Sequence, residues 1–144
     1  MSRVISIENA GKERIQLAKY VLMAIRELSQ SNQDIELSRD LVAFIITALA
    51  QIATTIDSSV AAWEKRGYWV KADRFRMEWG WSQTKSDLLY KGLIAQDWDS
   101  IIPQVLQITQ KLAAVKLPVR KPAIEPWRGA YASLMRESGE RKRI

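Results

Sequence analysis

The residues best suited to chemistry lie between Ala62 and Trp81, AWEKRGYWVKADRFRMEWGW. Here Trp63, Tyr68, Trp69, Phe75, Trp79 and Trp81 alternate with Lys65, Arg66, Lys71, Arg74 and Arg76. The run holds half of the aromatic residues in the chain. Planar rings stack on unpaired bases while cations neutralise phosphates, so interleaving the two holds single strands with little regard to sequence. At about 100° per residue, Lys71, Arg74 and Lys85 project within about 60° of one another on a helix, a short cationic ridge that Glu78 interrupts. Plainer roles fit the same spacing. Tyr68, Phe75 and Trp79 fall at heptad-like positions, where rings more often pack a helix seam, and Arg74 with Glu78 matches an i,i+4 ion pair. Trp69 and Trp81 lie off that seam and are the better candidates for contact with a base or with another protein surface.

Other chemistries find little support. The chain has neither cysteine nor histidine, which excludes disulfides, thiolate nucleophiles, Cys/His zinc sites, imidazole bases and histidine-held haem. Carboxylates remain, at Asp34, Glu36 and Asp40, at Asp73 and Glu78, and at Asp97 and Asp99. They do not repeat as the paired Glu-x-x-Glu or Glu-x-x-His motifs of helical metal bundles, and they suit helix caps and solvated charges instead. The six glycines stand singly at 11, 67, 80, 92, 129 and 139, so no phosphate-cradling loop exists. The expectation is a protein that is not an enzyme and uses no cofactor or metal.

Charge points toward polyanions. The chain carries 22 Lys+Arg against 16 Asp+Glu, with a pI near 9.7. Most of the surplus lies from Lys116 onward, where Arg120, Lys121, Arg128 and Arg136 are candidate secondary phosphate contacts. A purely solvated terminus would not need Trp127 and Tyr131. These residues, with Leu134, suggest a segment that docks on a neighbouring subunit while its cations meet phosphate.

The elements that must position these groups are all helical. A chain of 144 residues with 47% hydrophobic and 26% charged residues is long enough for one ordinary core. Ile15, Ala18, Leu22, Ile25 and Leu28 mark an amphipathic helix over about 12–30. A second helix runs from Ile35 or Ser38 to Arg66, with apolar residues on all sides over the uncharged stretch Leu41 to Ile56. That stretch is short of the ~20 residues of a membrane span and implies cover by neighbouring elements. Gly67 then stops the helix or bends it. The series Tyr68, Ala72, Phe75, Trp79, Ser82, Ser86, Leu89 and Leu93 predicts one third helix. Its opposite side, Val70, Met77, Trp81 and Leu88, needs a second partner, either within the chain or in another copy. A fourth helix starts near Ser100, so that Pro103 falls in its first turn. Pro118, Pro122 and Pro126 make an extended basic connector, and Trp127 to Ser138 form a short last helix. The expected fold is an all-α bundle of four main helices over 1–117, with a basic extension over 118–144.

A helical, basic chain of this length without Cys or His, with a Trp/Arg-rich third helix (AAWEKRGYWVKADRFRMEW) and a basic EPWRGAYASLM end, resembles the small subunit of class 1 CRISPR surveillance complexes. It looks most like the C-terminal helical part of the type I-D large subunit. The resemblance implies a non-catalytic scaffold, several copies of which line up beside the guide RNA and hold target or displaced DNA by its phosphates. Its partners would be the other subunits of a ribonucleoprotein complex, further copies of itself, guide RNA and single-stranded DNA. The family has no fixed residue motif, so the contact residues come from charge alone: Lys65, Arg66, Lys71, Arg74, Arg76 and Lys85, then the tail cations. Trp69, Met77, Trp81, Trp127 and Tyr131 are the expected protein interface. The polar opening, Met1 to Gly11, lacks the apolar core of a secretion signal, which suggests a cytoplasmic protein without a membrane partner. The rival reading is a helical oligomerisation module with no nucleic-acid role.

Overall fold

The computed structural model describes residues 7–31, 33–117 and 124–142. Among them six helices form and no strand does: α1 (Ile7–Gln30), α2 (Ile35–Lys65), α3 (Trp69–Trp79), α4 (Trp81–Ile94), α5 (Trp98–Lys111) and α6 (Ala130–Lys142). The all-α bundle expected from the sequence is the fold found.

The fold is organised around α2, which packs against α1, α3, α4 and α6. Leu41, Val42, Ile45, Leu49, Ile52 and Ile56 are all buried, while a narrow polar stripe, Thr47, Gln51, Thr54 and Asp57, faces solvent. The helix is long and apolar enough to cross a membrane by length and composition, but its most apolar window is mostly covered by the bundle. It starts at Asp34, whose side chain accepts the Leu37 N–H at 3.0 Å. It stops at Gly67, at φ +82°, a left-handed conformation that a side chain would strain. There the Gly67 N–H reaches the Glu64 carbonyl and the Tyr68 N–H reaches the Trp63 carbonyl at 2.9 Å, the double bond of a glycine-terminated helix. The turn fixes the direction in which α3 leaves.

Four expectations need correction. The third helix is two helices, because the chain bends at Gly80. Trp79 and Trp81 are two residues apart and would point to nearly opposite sides of a straight helix. Instead their rings stack at 5.9 Å with 25° between planes. Trp81 is thereby turned inward and half-buried, whereas Val70 and Met77 stay outside, 68% and 83% exposed. On the first helix Ile15 is exposed while Ala18, Leu22, Ile25 and Leu28 of the expected stripe pack on the core, and the covered side continues through Arg14 to Ala10, with a cation inside it. The fourth helix begins at Trp98, capped by Asp97, so Pro103 falls in its second turn.

The last correction concerns the tail. Trp127 is 2% exposed, set edge-on to Phe44 at 6.2 Å in the core of this same chain. The Asp40 carboxylate of α2 accepts the Gly129 N–H at 3.1 Å and the Tyr131 N–H at 3.0 Å, capping α6 from across the bundle. Arg39 lies 5.7 Å from the Tyr131 ring, and Tyr90 bonds Ser138. Trp127 and Tyr131 therefore dock on their own subunit and not on a neighbour. Arg120 and Lys121 lie outside the described residues.

The α4–α5 contact is close enough to forbid a side chain at Gly92. A Cβ there would stand 2.8 Å from Cγ1 of buried Ile101. Gly92→Ala is expected to lose about 1–3 kcal/mol through overpacking, more than the helix-propensity gain of about 1 kcal/mol returns. Urea denaturation read by circular dichroism checks the sign.

Candidate nucleic-acid interface

The turn at Gly67 and the angle of α3 open a groove of about 760 Å³ between the end of α2 and the outer face of α3. Its inner wall is made of packed rings. Trp63 and Phe75 meet edge to face at 4.8 Å, and Phe75 continues to Trp79 at 6.5 Å. These rings are half-buried, and α3 is anchored behind them by Ala72, which is fully buried. Tyr68 and Trp69, at the mouth, are 55% and 60% exposed. The sequence pattern thus divides: the seam rings Phe75 and Trp79 pack, Tyr68 leaves the seam for the surface, and Trp69 is open as expected.

Cations sort in the same way. Lys71 and Arg74 line the groove. The Lys71 ammonium stands 4.6 Å from the centre of the Trp63 ring, a cation–π contact that holds it over the groove without neutralising it. Arg74 makes no ion pair or hydrogen bond with any described residue, so the pair expected with Glu78 is not formed. Lys65 and Arg66 are exposed just before the Gly67 turn and are likewise unpaired among the described residues. Lys71 and Arg74 are thus the unpaired cations of the groove itself, and Lys65 and Arg66 are two more at the end of α2 that leads into it.

The remaining candidates are elsewhere. Arg76 is paired with Glu64 at 3.3 Å and Asp73 at 2.8 Å. Lys85 belongs to α4 beyond the bend, and its ammonium donates to Gln104 at 2.6 Å and to Gln107. The predicted ridge of Lys71, Arg74 and Lys85 therefore does not exist, since it assumed one straight helix. Arg128 is paired with Glu125, which raises its pKa further above the ordinary arginine value. Arg136 is exposed and reaches Ser133 at 3.5 Å.

Sequence reasoning missed Arg14. Its guanidinium, half-buried on α1, lies 4.6 Å from the Phe75 ring centre and 5.8 Å from that of Trp79. It donates to the Ser59 hydroxyl at 3.0 Å and to the Thr55 carbonyl at 3.4 Å, both on α2. Burial lowers its pKa, and the nearby Glu78 carboxylate opposes that shift. Arg14 thus ties α1 and α2 to the ring wall of the groove. The signal was available as a charge on the covered stripe between Ala10 and Ala18, a place where an unpaired cation is costly.

Among the described residues no three carboxylates gather where a metal ion could be held. No protein family, curated protein or solved structure matches this chain.

Proposed function

We propose that the protein is a non-catalytic scaffold that holds single-stranded nucleic acid in the groove between α2 and α3. The observation that carries this reading is the concurrence, in one open groove, of two exposed rings, Tyr68 and Trp69, with two cations that form no ion pair with a described residue, Lys71 and Arg74. Bases stack on the rings while phosphates lie along the rim, and neither contact reads much sequence. A duplex keeps its base faces covered and would forfeit the stacking. Under this reading, the assembly served is the one the sequence resembles, a class 1 CRISPR surveillance complex, with the strand being target or displaced DNA beside the guide RNA.

Titration with salt tests the electrostatic half. Four neutralised phosphates at ~0.7 each predict a slope of log K against log salt of about −3, and removing Lys71 and Arg74 together should flatten it to about −1.5. Fluorescence anisotropy with a labelled oligomer measures both; a flat profile for the unmodified protein rejects the proposal.

The outward face of α3 favours a second reading. Val70, at the edge of the groove, and Met77 present exposed apolar side chains on α3, as a self-association surface would. Sedimentation separates the two: a closed dimer without affinity for DNA or RNA supports oligomerisation alone.

A further inference from the structure

One charge in the groove is unexplained by phosphate binding. Glu78 lines it together with Arg74 and Phe75, four and three residues earlier on α3, and Lys71, seven residues earlier. These positions share one side of the helix. A carboxylate among phosphate-binding cations lowers affinity for any polyanion unless it makes contacts of its own. Glu78 is exposed and forms no ion pair within 4 Å with a described residue, so both its oxygens are open to a ligand.

We infer that Glu78 is a base-selecting residue of this groove, favouring bases that carry an exocyclic amino group over thymine and uracil. The inference rests on the single-strand reading above. Trp69 precedes Glu78 by nine residues, about 13 Å of helix rise, so a strand stacked on the rings at the mouth with its phosphates along Lys71 and Arg74 turns the edge of a following base toward Glu78. The edge then meets a group that only accepts hydrogen bonds. Cytosine and adenine donate an N–H from their amino groups, and guanine donates two. Thymine and uracil have one ring N–H flanked by two carbonyl oxygens, which a carboxylate repels. The bonds are charge-assisted, and the ring wall shields them partly from water. The groove therefore holds any strand through its rings and rim, and biases it by base through Glu78.

The test uses the full-length protein with oligodeoxycytidine and oligothymidine of about eight nucleotides, a length within the usual site size of single-strand grooves. The expected result is about fivefold tighter binding of the cytidine oligomer. Oligocytidine and oligouridine ribonucleotides form a second pair that shows whether DNA or RNA is preferred. Glu78→Gln, an exposed and isosteric change, is expected to bring the cytosine-to-thymine ratio near one, chiefly by strengthening thymidine binding as the repulsive charge is removed. Equal and salt-sensitive affinity of the unmodified protein for both oligomers overturns the selection and leaves the single-strand reading standing. A ratio that survives in Glu78→Gln overturns the role of Glu78. Failure to bind any of the four oligomers overturns both readings.

Discussion

Trp69→Ala is expected to weaken binding of a short single strand by about tenfold or more, with no loss of thermal stability. Stacking of a base on one aromatic side chain contributes ~1–3 kcal/mol, which corresponds to a factor between about five and 150. Trp69 follows the Gly67 turn at the start of α3 with most of its surface open, and no ring of the wall packs against it. Its removal therefore leaves no cavity in the fold. Trp69→Phe keeps a stacking face and should recover most of the affinity, whereas Trp69→Leu keeps apolar area alone and should not. Tyr68→Ala is expected to act in the same direction with a smaller effect, its ring being smaller. Unchanged affinity in both alanine variants, measured at low salt where binding is strongest, would remove the aromatic half of the proposal. If Trp69 belongs instead to a protein interface, its replacement shifts the sedimentation profile and leaves nucleic-acid affinity alone.

Trp127→Ala has the largest expected effect on stability. The indole fills the space between α2 and the start of α6 and is fully covered, so its loss combines the transfer and cavity costs typical of a buried aromatic, about 3–5 kcal/mol. That is a large share of the ~5–15 kcal/mol that holds most domains together. Its Nε1–H is buried without a hydrogen-bond partner among the described residues, which costs about 1–3 kcal/mol as it stands. Trp127→Phe removes that orphan donor while keeping an edge toward Phe44. It should therefore be far milder than the alanine change, at about 1 kcal/mol or less, because relief of the unpaired N–H offsets the smaller ring. Guanidinium unfolding of the two variants measures the difference. Equal destabilisation by both would overturn this account, since the ring that phenylalanine retains would then contribute nothing.

The periodicity of apolar residues carried the helices well: the uncharged stretch of α2 predicted a helix buried on most sides, and it is covered except along Thr47, Gln51 and Thr54, while Leu89, Leu93, Ile101, Val105 and Ile108 are in the core where the spacing placed them. What it could not carry was direction. A glycine reads the same in sequence whether it continues, bends or ends a helix. Gly67 ends one by taking a positive φ, while Gly80 keeps right-handed dihedrals and still marks a bend. The error at Gly80 displaced Lys85 and Trp81 from the proposed face. The tail was misjudged for a related reason. An aromatic in a basic terminal segment is equally suited to its own bundle or to a neighbour's, and the choice was made by Asp40, whose role as a cap for a helix 89 residues later leaves no local trace. The groove was legible because its rings and cations are contiguous in the chain. Arg14 was not, because it comes from another helix.

The stacked pair at the bend gives the molecule an optical property of its own. Two indoles held 5.9 Å apart and 25° from parallel couple their electronic transitions. Such coupling splits a single absorption band into two lobes of opposite sign in circular dichroism. Trp79 adjoins Phe75 in the wall of the groove, so an occupant that shifts α3 against α4 would change the splitting. The unlabelled protein thereby carries a built-in chromophoric gauge of the angle between α3 and α4.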